Sequence, residues 1–247
     1  MASIASQVIL HPAASQTLKL WSSTVGRDKT YRTVQYFSRF LAWYLINRGY
    51  KERAAKWNAL KSALGSGRKL MRLGKPLEHL QAALRATHSS GPTGEQITSI
   101  GRQLAYAGYL TYDALIWAAS VKVLTLTKDR KDQIGKISNR FWLAGIVFNL
   151  VHALLKAGRL ADEVKALRSP AASEKVGDDA ERNAKYHSLQ AARSAVRYQF
   201  IIDSLDVWLP ATNLGFVNFN DGLLGFTGTI TSLMALRSQW RAAGARK

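Results

Sequence analysis

Residues 67–85 read GRKLMRLGKPLEHLQAALR, and the spacing within this stretch sets the expectation for the whole fold. Leu70, Leu73, Leu77, Leu80 and Leu84 recur at intervals of 3, 4, 3 and 4, which places all five on one face of an α-helix. Arg68, Arg72, Lys75 and His79 fall roughly opposite. Gly74 and Pro76 interrupt the pattern, and a proline inside a helix removes a hydrogen bond and kinks the axis, so two short pieces are expected. A helix of this kind can lie in a membrane interface with its apolar face among the acyl chains and its cations at the headgroups. Leu70, Leu73, Leu77 and Leu80 would form the wedge, and Arg68, Lys69, Arg72 and Lys75 would each contribute on the order of 1 kcal/mol near an anionic surface. The competing reading has the same leucines packed on neighbouring helices and the cations solvated.

Upstream, residues 31–47 carry bulky side chains at helical spacing (Tyr31, Val34, Phe37 or Phe40, Leu41, Tyr44) without Gly or Pro, which predicts a helix with Asp28 in the N-cap position. Aromatics cover most of its circumference and leave Arg32, Gln35 and Arg39 as a narrow polar stripe, a pattern that favours core packing or self-association over lipid wedging. Between Lys29 and Lys75 there are twelve Lys or Arg and one acidic residue, Glu52. The chain of 247 residues has a formal net charge of +19, so its surface attracts a polyanion, either nucleic acid or an anionic lipid surface. Its 47% hydrophobic content is enough for a sizeable core and excludes disorder of the whole chain.

Downstream, residues 88–94 carry loop signals, and the composition then changes. Residues 104–126 are largely apolar with only Asp113 and Lys122 charged, and residues 137–157 follow closely. The uncharged heart of the latter, 141–155, makes about 22 Å of helix, short of a hydrocarbon core of roughly 30 Å, so Arg140 and Lys156 would have to snorkel. In 104–126, aliphatic side chains at about −0.5 kcal/mol each are opposed by Asp113 at roughly +3 kcal/mol, so hydropathy alone does not separate membrane spans from a soluble helical bundle. Residues 158–197 read as a polar loop, containing Ser169-Pro170, followed by a helix, and 198–236 are again apolar. Asp203 and Asp206 lie in that region. Within a membrane they and Asp113 would be partners for Lys122 or Arg197 or pore-lining groups, while placement at helix ends is the more ordinary expectation. The basic N-terminal block and the tail Arg237, Arg241, Arg246 and Lys247 favour both termini in the cytosol and an even number of spans. The expected organisation is a basic amphipathic region facing the cytosol (1–88), an apolar helical pair (95–157), a polar loop and helix (158–197), and a membrane-embedded region with a basic tail (198–247). The fold class is all-α, a helical membrane protein.

Catalysis is not expected. There is no cysteine, the five histidines have no metal-ligand spacing, and no Ser or carboxylate sits in a nucleophile motif, so no catalytic residue, metal or cofactor is assigned. A nucleic-acid partner is not expected either, because no binding motif is present and the charge coincides with leucine-rich amphipathic faces.

Two stretches resemble the signatures of the peroxin eleven family, the peroxisomal membrane-elongation peroxins: Arg27-Asp28 through Arg32, Tyr36 and Arg39-Phe40, and 65–76. The segment around Gly222, Gly225 and 229–233 is similar to the family's C-terminal apolar segment. Fungal members are closest in flavour, and 158–186 has no pattern that matches. The resemblance implies a peroxisomal membrane protein that self-associates, through the first motif, elongates the membrane and assists fission by a dynamin-related GTPase and its membrane adaptor. It also implies that the segment matching 67–84 bends the membrane. Pore-like permeation of small metabolites is the alternative activity that the resemblance carries.

Overall fold

The computed structural model describes residues 4–168 and 179–245; Ser169-Pro170 and the tail residues Arg246 and Lys247 lie outside the described residues. All the regular structure among the described residues is helical. The helices are α1 (Ile4–Ile9), α2 (Pro12–Ser22), α3 (Thr24–Asn47), α4 (Lys51–Leu70), α5 (Lys75–Thr87), α6 (Thr93–Ser120), α7 (Lys128–Leu167), α8 (Asp179–Asp206), α9 (Trp208–Asn213) and α10 (Asp221–Ala245). Long helices adjacent in sequence run antiparallel: α3 against α4, α5 against α6, α6 against α7, and α7 against α8. The chain then returns, and α10 lies antiparallel along α3 while also covering α2.

Helix α3 begins seven residues before the predicted start. Its N-cap is Ser23, whose hydroxyl accepts the Gly26 N–H at 3.0 Å, and not Asp28, which sits inside the helix with its side chain buried. The hydroxyl of Ser23 satisfies an orphan N–H that Asp28 is too far along the chain to reach. Gly49, at φ +83°, turns the chain out of α3 in a conformation that glycine adopts at no steric cost. The break at 71–74 separates α4 from α5, and Pro76 lies in the first turn of α5, where its missing N–H costs nothing. The loop expected at 88–94 is shorter than predicted, since α6 starts at Thr93.

The boundary expected at 157/158 falls inside α7. Leu160, Val164 and Leu167 extend the buried stripe past Gly158 and pack on Leu189, with Tyr186, Ala192 and Val196 around them. Charged residues between these positions dilute the pattern, which is why the segment reads as a loop in sequence.

Two rows of glycine let helices approach closely. On α6, Gly94, Gly101 and Gly108 recur every seven residues and receive Leu155, Phe148 and Phe141 of α7; a Cβ at Gly101 or Gly108 would come within 2.7 Å of a phenylalanine ring. On α10, Gly222, Gly225 and Gly228 face Trp43, Phe40 and Tyr36 of α3, and at Gly225 the atoms met first are the backbone N and Cα of Phe40. The Gly225→Ala variant therefore cannot be relieved by turning a side chain, and it is expected to lose about 2 kcal/mol of stability from overpacking. Gly67→Ala, where nothing lies within 4 Å, should instead be neutral or gain up to about 1 kcal/mol in helix propensity. Thermal unfolding of both variants in neutral detergent checks the contrast.

Candidate membrane interface

The leucine face of 67–85 points outward. Leu77 is 64% exposed and Leu84 65%, and Leu70, Leu73 and Leu80 are also exposed, while Ala83 on the flank of α5 beside them is buried, and α5 packs on α6. The cations expected at headgroups turn the other way. Arg68 is buried, its Nε donating to Asp28 at 2.9 Å and its Nη1 to Gln35 at 2.7 Å. Lys69 and Arg72 both donate to Asp113 of α6, Arg72 at 2.8 Å. Lys75 sits nearer the rim and pairs with the exposed Glu78. The competing reading, with leucines packed inside and cations in water, is the reverse of this arrangement.

Helix α3 is turned the same way. Tyr31, Val34, Phe37 and Tyr44 are exposed and the polar stripe faces inward, so aromatic packing on α10 is made by Tyr36, Phe40 and Trp43, while the exposed aromatics leave the self-association alternative open. Arg32 Nη2 donates to Asp206 at 2.6 Å and reaches the Thr231 hydroxyl, which itself donates to Asp206 at 2.7 Å. Arg39 Nη2 donates to Asp221 at 2.7 Å. Tyr36 joins Leu209 and Leu224 in the core, and the Phe40 ring lies 6.1 Å from that of Phe226. Of the first-motif residues, only Arg27 is exposed. Burial opposes the charge of Asp28, but Arg68, Arg72 and Lys29 outweigh it and hold its carboxyl below the ordinary carboxylate range.

The three aspartates in apolar surroundings find partners other than those expected. Asp113 is paired with Lys69 and Arg72 rather than Lys122, and Asp206 with Arg32 rather than Arg197. Asp203 accepts from Asn149 of α7 and, at 3.0 Å, from Gln199. All three are buried, and Asp113 is well inside α6 rather than at a helix end. Their true partners are distant in sequence, and no local spacing announces them. Gln35, Asn149, Asp221 and Thr231 are further partners that local spacing does not announce; of them, Gln35 lies in the legible polar stripe of α3 and Asn149 is a polar residue within the apolar run 141–155.

Among the described residues, α7 is the one helix that is long and apolar enough, by length and composition, to cross a membrane. Val147, Val151, Leu154 and Leu155 are exposed on one side, and Gly145, Ile146, Asn149 and Ala153 are buried on the other. Three elements therefore present apolar side chains outward, and in two of them, the leucine segment and α3, charged side chains turn inward.

The model of the family described as peroxisomal biogenesis factor 11 (PEX11) matches residues 14–240. The peroxisomal membrane protein PMP27 of Saccharomyces cerevisiae is 27% identical, covering 95% of this chain and 98% of its own. The peroxisomal biogenesis factor 11 of Schizosaccharomyces pombe is 25% identical over 93% of this chain and 96% of its own. The peroxisomal membrane protein PMP30B of Candida boidinii is 28% identical over 97% and 98%. No solved structure matches the chain.

Removing one partner of a buried ion pair leaves an uncompensated charge, which costs about 3 kcal/mol or more. Arg68→Met, which strands Asp28, is expected to lose that much. Arg85→Met, at an exposed position on α5, should change stability by less than about 0.5 kcal/mol. Denaturant unfolding in detergent reads both.

Proposed function

This chain belongs to the peroxisomal biogenesis factor 11 family, peroxisomal membrane proteins that act in peroxisome proliferation, and from that premise we propose that it works by seating a leucine wedge in the bilayer. The observation that carries this reading is the outward direction of Leu70, Leu73, Leu77 and Leu80 while the cations of the same segment are engaged inside. In water such a face is unfavourable, because fully burying a leucine is worth about 1.5–3 kcal/mol. At a membrane it supplies the binding energy, and insertion into one leaflet favours positive curvature. Lys75, at the rim, is the wedge cation best placed for an anionic headgroup, and Arg68, Lys69 and Arg72 hold the wedge helix to α3 and α6. The seat is the cytosolic leaflet of the peroxisome, and both termini face the cytosol, a placement supported by the basic N-terminal block and the basic tail. Curved patches grow by self-association of the chain, with Arg27 as the exposed member of the first motif, and the elongated membrane is then presented to a dynamin-related fission GTPase and its membrane adaptor.

Two exposed leucines converted to aspartate forfeit on the order of 3 kcal/mol, about a hundredfold in affinity. The full-length Leu73→Asp/Leu77→Asp protein is expected to lose tubulation of anionic liposomes and to bind them about a hundredfold more weakly, with its thermal unfolding in detergent unchanged. Tubulation at the wild-type level removes the wedge mechanism. Alkaline carbonate extraction of the tagged protein from a peroxisome fraction should leave it in the pellet, and both termini should be digested by protease on intact organelles. One protected terminus would overturn the proposed orientation.

A further inference from the structure

Behind the leucine face, α3, α4, α5, α6 and α8, with contributions from α7, α9 and α10, line a cavity of ≈ 970 Å³ that is open on one side. That is the upper end of the size range of small-molecule sites, roughly 300–1,000 Å³. Eight Lys and Arg side chains against five Asp and Glu line it, and of these cations Arg39 and Lys61 pair with Asp221 outside the lining and Lys75 with Glu78 at the rim. Asp206 is taken by Arg32, Asp28 by Arg68, and Asp113 is shared by two cations, Lys69 and Arg72. Lys29 also lines the cavity, and among the described residues its ammonium has no ion-pair or hydrogen-bond partner. Burial, then the neighbouring Arg32, drives its pKa down to about 8, with Asp28 opposing. Arg68 keeps Nη2 uncommitted in the same wall, and the Ser62 and Ser66 hydroxyls and the Tyr109 ring complete a mixed polar and aromatic lining. Lys29 is thus the cation of this lining left without a partner among the described residues, an unpaired charge shielded from water is costly unless an anion compensates it, and the guanidinium groups beside it offer phosphate oxygens paired N–H donors.

We infer that this cavity is a binding site for a phosphate ester, held by Lys29 and Arg68 with Lys69 and Arg72 behind them. It is separate from the wedge, whose leucines face away from it. The phosphate reaches the cavity either on a free, water-soluble molecule or on a lipid headgroup whose chains remain in the bilayer. The experiment uses the full-length protein in neutral detergent titrated with inorganic pyrophosphate. In parallel, the protein is placed in phosphatidylcholine nanodiscs with and without phosphatidylinositol 4-phosphate, and the thermal unfolding midpoint is read in both arms. Saturable stabilisation by pyrophosphate assigns a free phosphate ester, and stabilisation by the phosphoinositide alone assigns a headgroup.

The deciding variant is Lys29→Gln. It removes a repelled charge, so the free protein should unfold at the same or a higher temperature, while affinity for the stabilising probe falls about tenfold and liposome tubulation is retained. Lys56→Gln, at an exposed site outside the cavity, should bind as the wild type does. Stabilisation by neither probe, or equal loss in the two variants, overturns the assignment and leaves the affinity to the general basic surface.

Discussion

The close contact between α3 and α10 is the constraint on which the rest of the architecture depends. Gly222, Gly225 and Gly228 strip one face of α10 to its backbone, so Trp43, Phe40 and Tyr36 of α3 lie directly on it. That spacing brings Arg32 within reach of Thr231 and of Asp206, at the end of α8, and puts Asp221 under Arg39. The first and last long helices of the described chain are thereby joined at both ends of their contact, and α4 is held to the pair through Arg68 and Asp28. A larger residue on α10 would pull Arg32 from its partners while leaving it and Asp206 buried, which is a worse state than either full pairing or full exposure.

Helix content, the break at Gly74 and the leucine face were all legible from spacing, because a 3, 4, 3, 4 rhythm admits one secondary structure. Which face is inside was not. Periodicity identifies two faces of a helix but says nothing about the solvent outside it, and in a bilayer the outer solvent is hydrocarbon. The polar stripe of Arg32, Gln35 and Arg39 was visible in the sequence; that it points inward follows only from the acidic residues waiting on α8 and α10 and from Arg68 of α4 beside Gln35. The seven-residue recurrence of Gly94, Gly101 and Gly108 was also present in the sequence, and it marks the face of α6 on which α7 lies. The extension of α7 to Leu167 was obscured because three buried residues among many charges do not form a continuous apolar run.

Helix α5 serves both sides of the molecule. Leu77, Leu80 and Leu84 face outward, and from the same 13 residues Lys75 and His79 line the cavity, with His79 hydrogen-bonded to Gln103 at 2.6 Å and stacked on Tyr106. On the proposed reading, a bilayer beneath the leucines would fix the rotation of α5 about its own axis, and so how far Lys75 and His79 project into the cavity. A group occupying the cavity acts on the same rotation from the other side. Because coupling between two binding equilibria is reciprocal, whatever the membrane does to the cavity, an occupant of the cavity does to membrane seating by the same factor. If the proposed wedge seats in the bilayer, the same short helix is also the element through which a charged ligand would set how firmly that wedge is held.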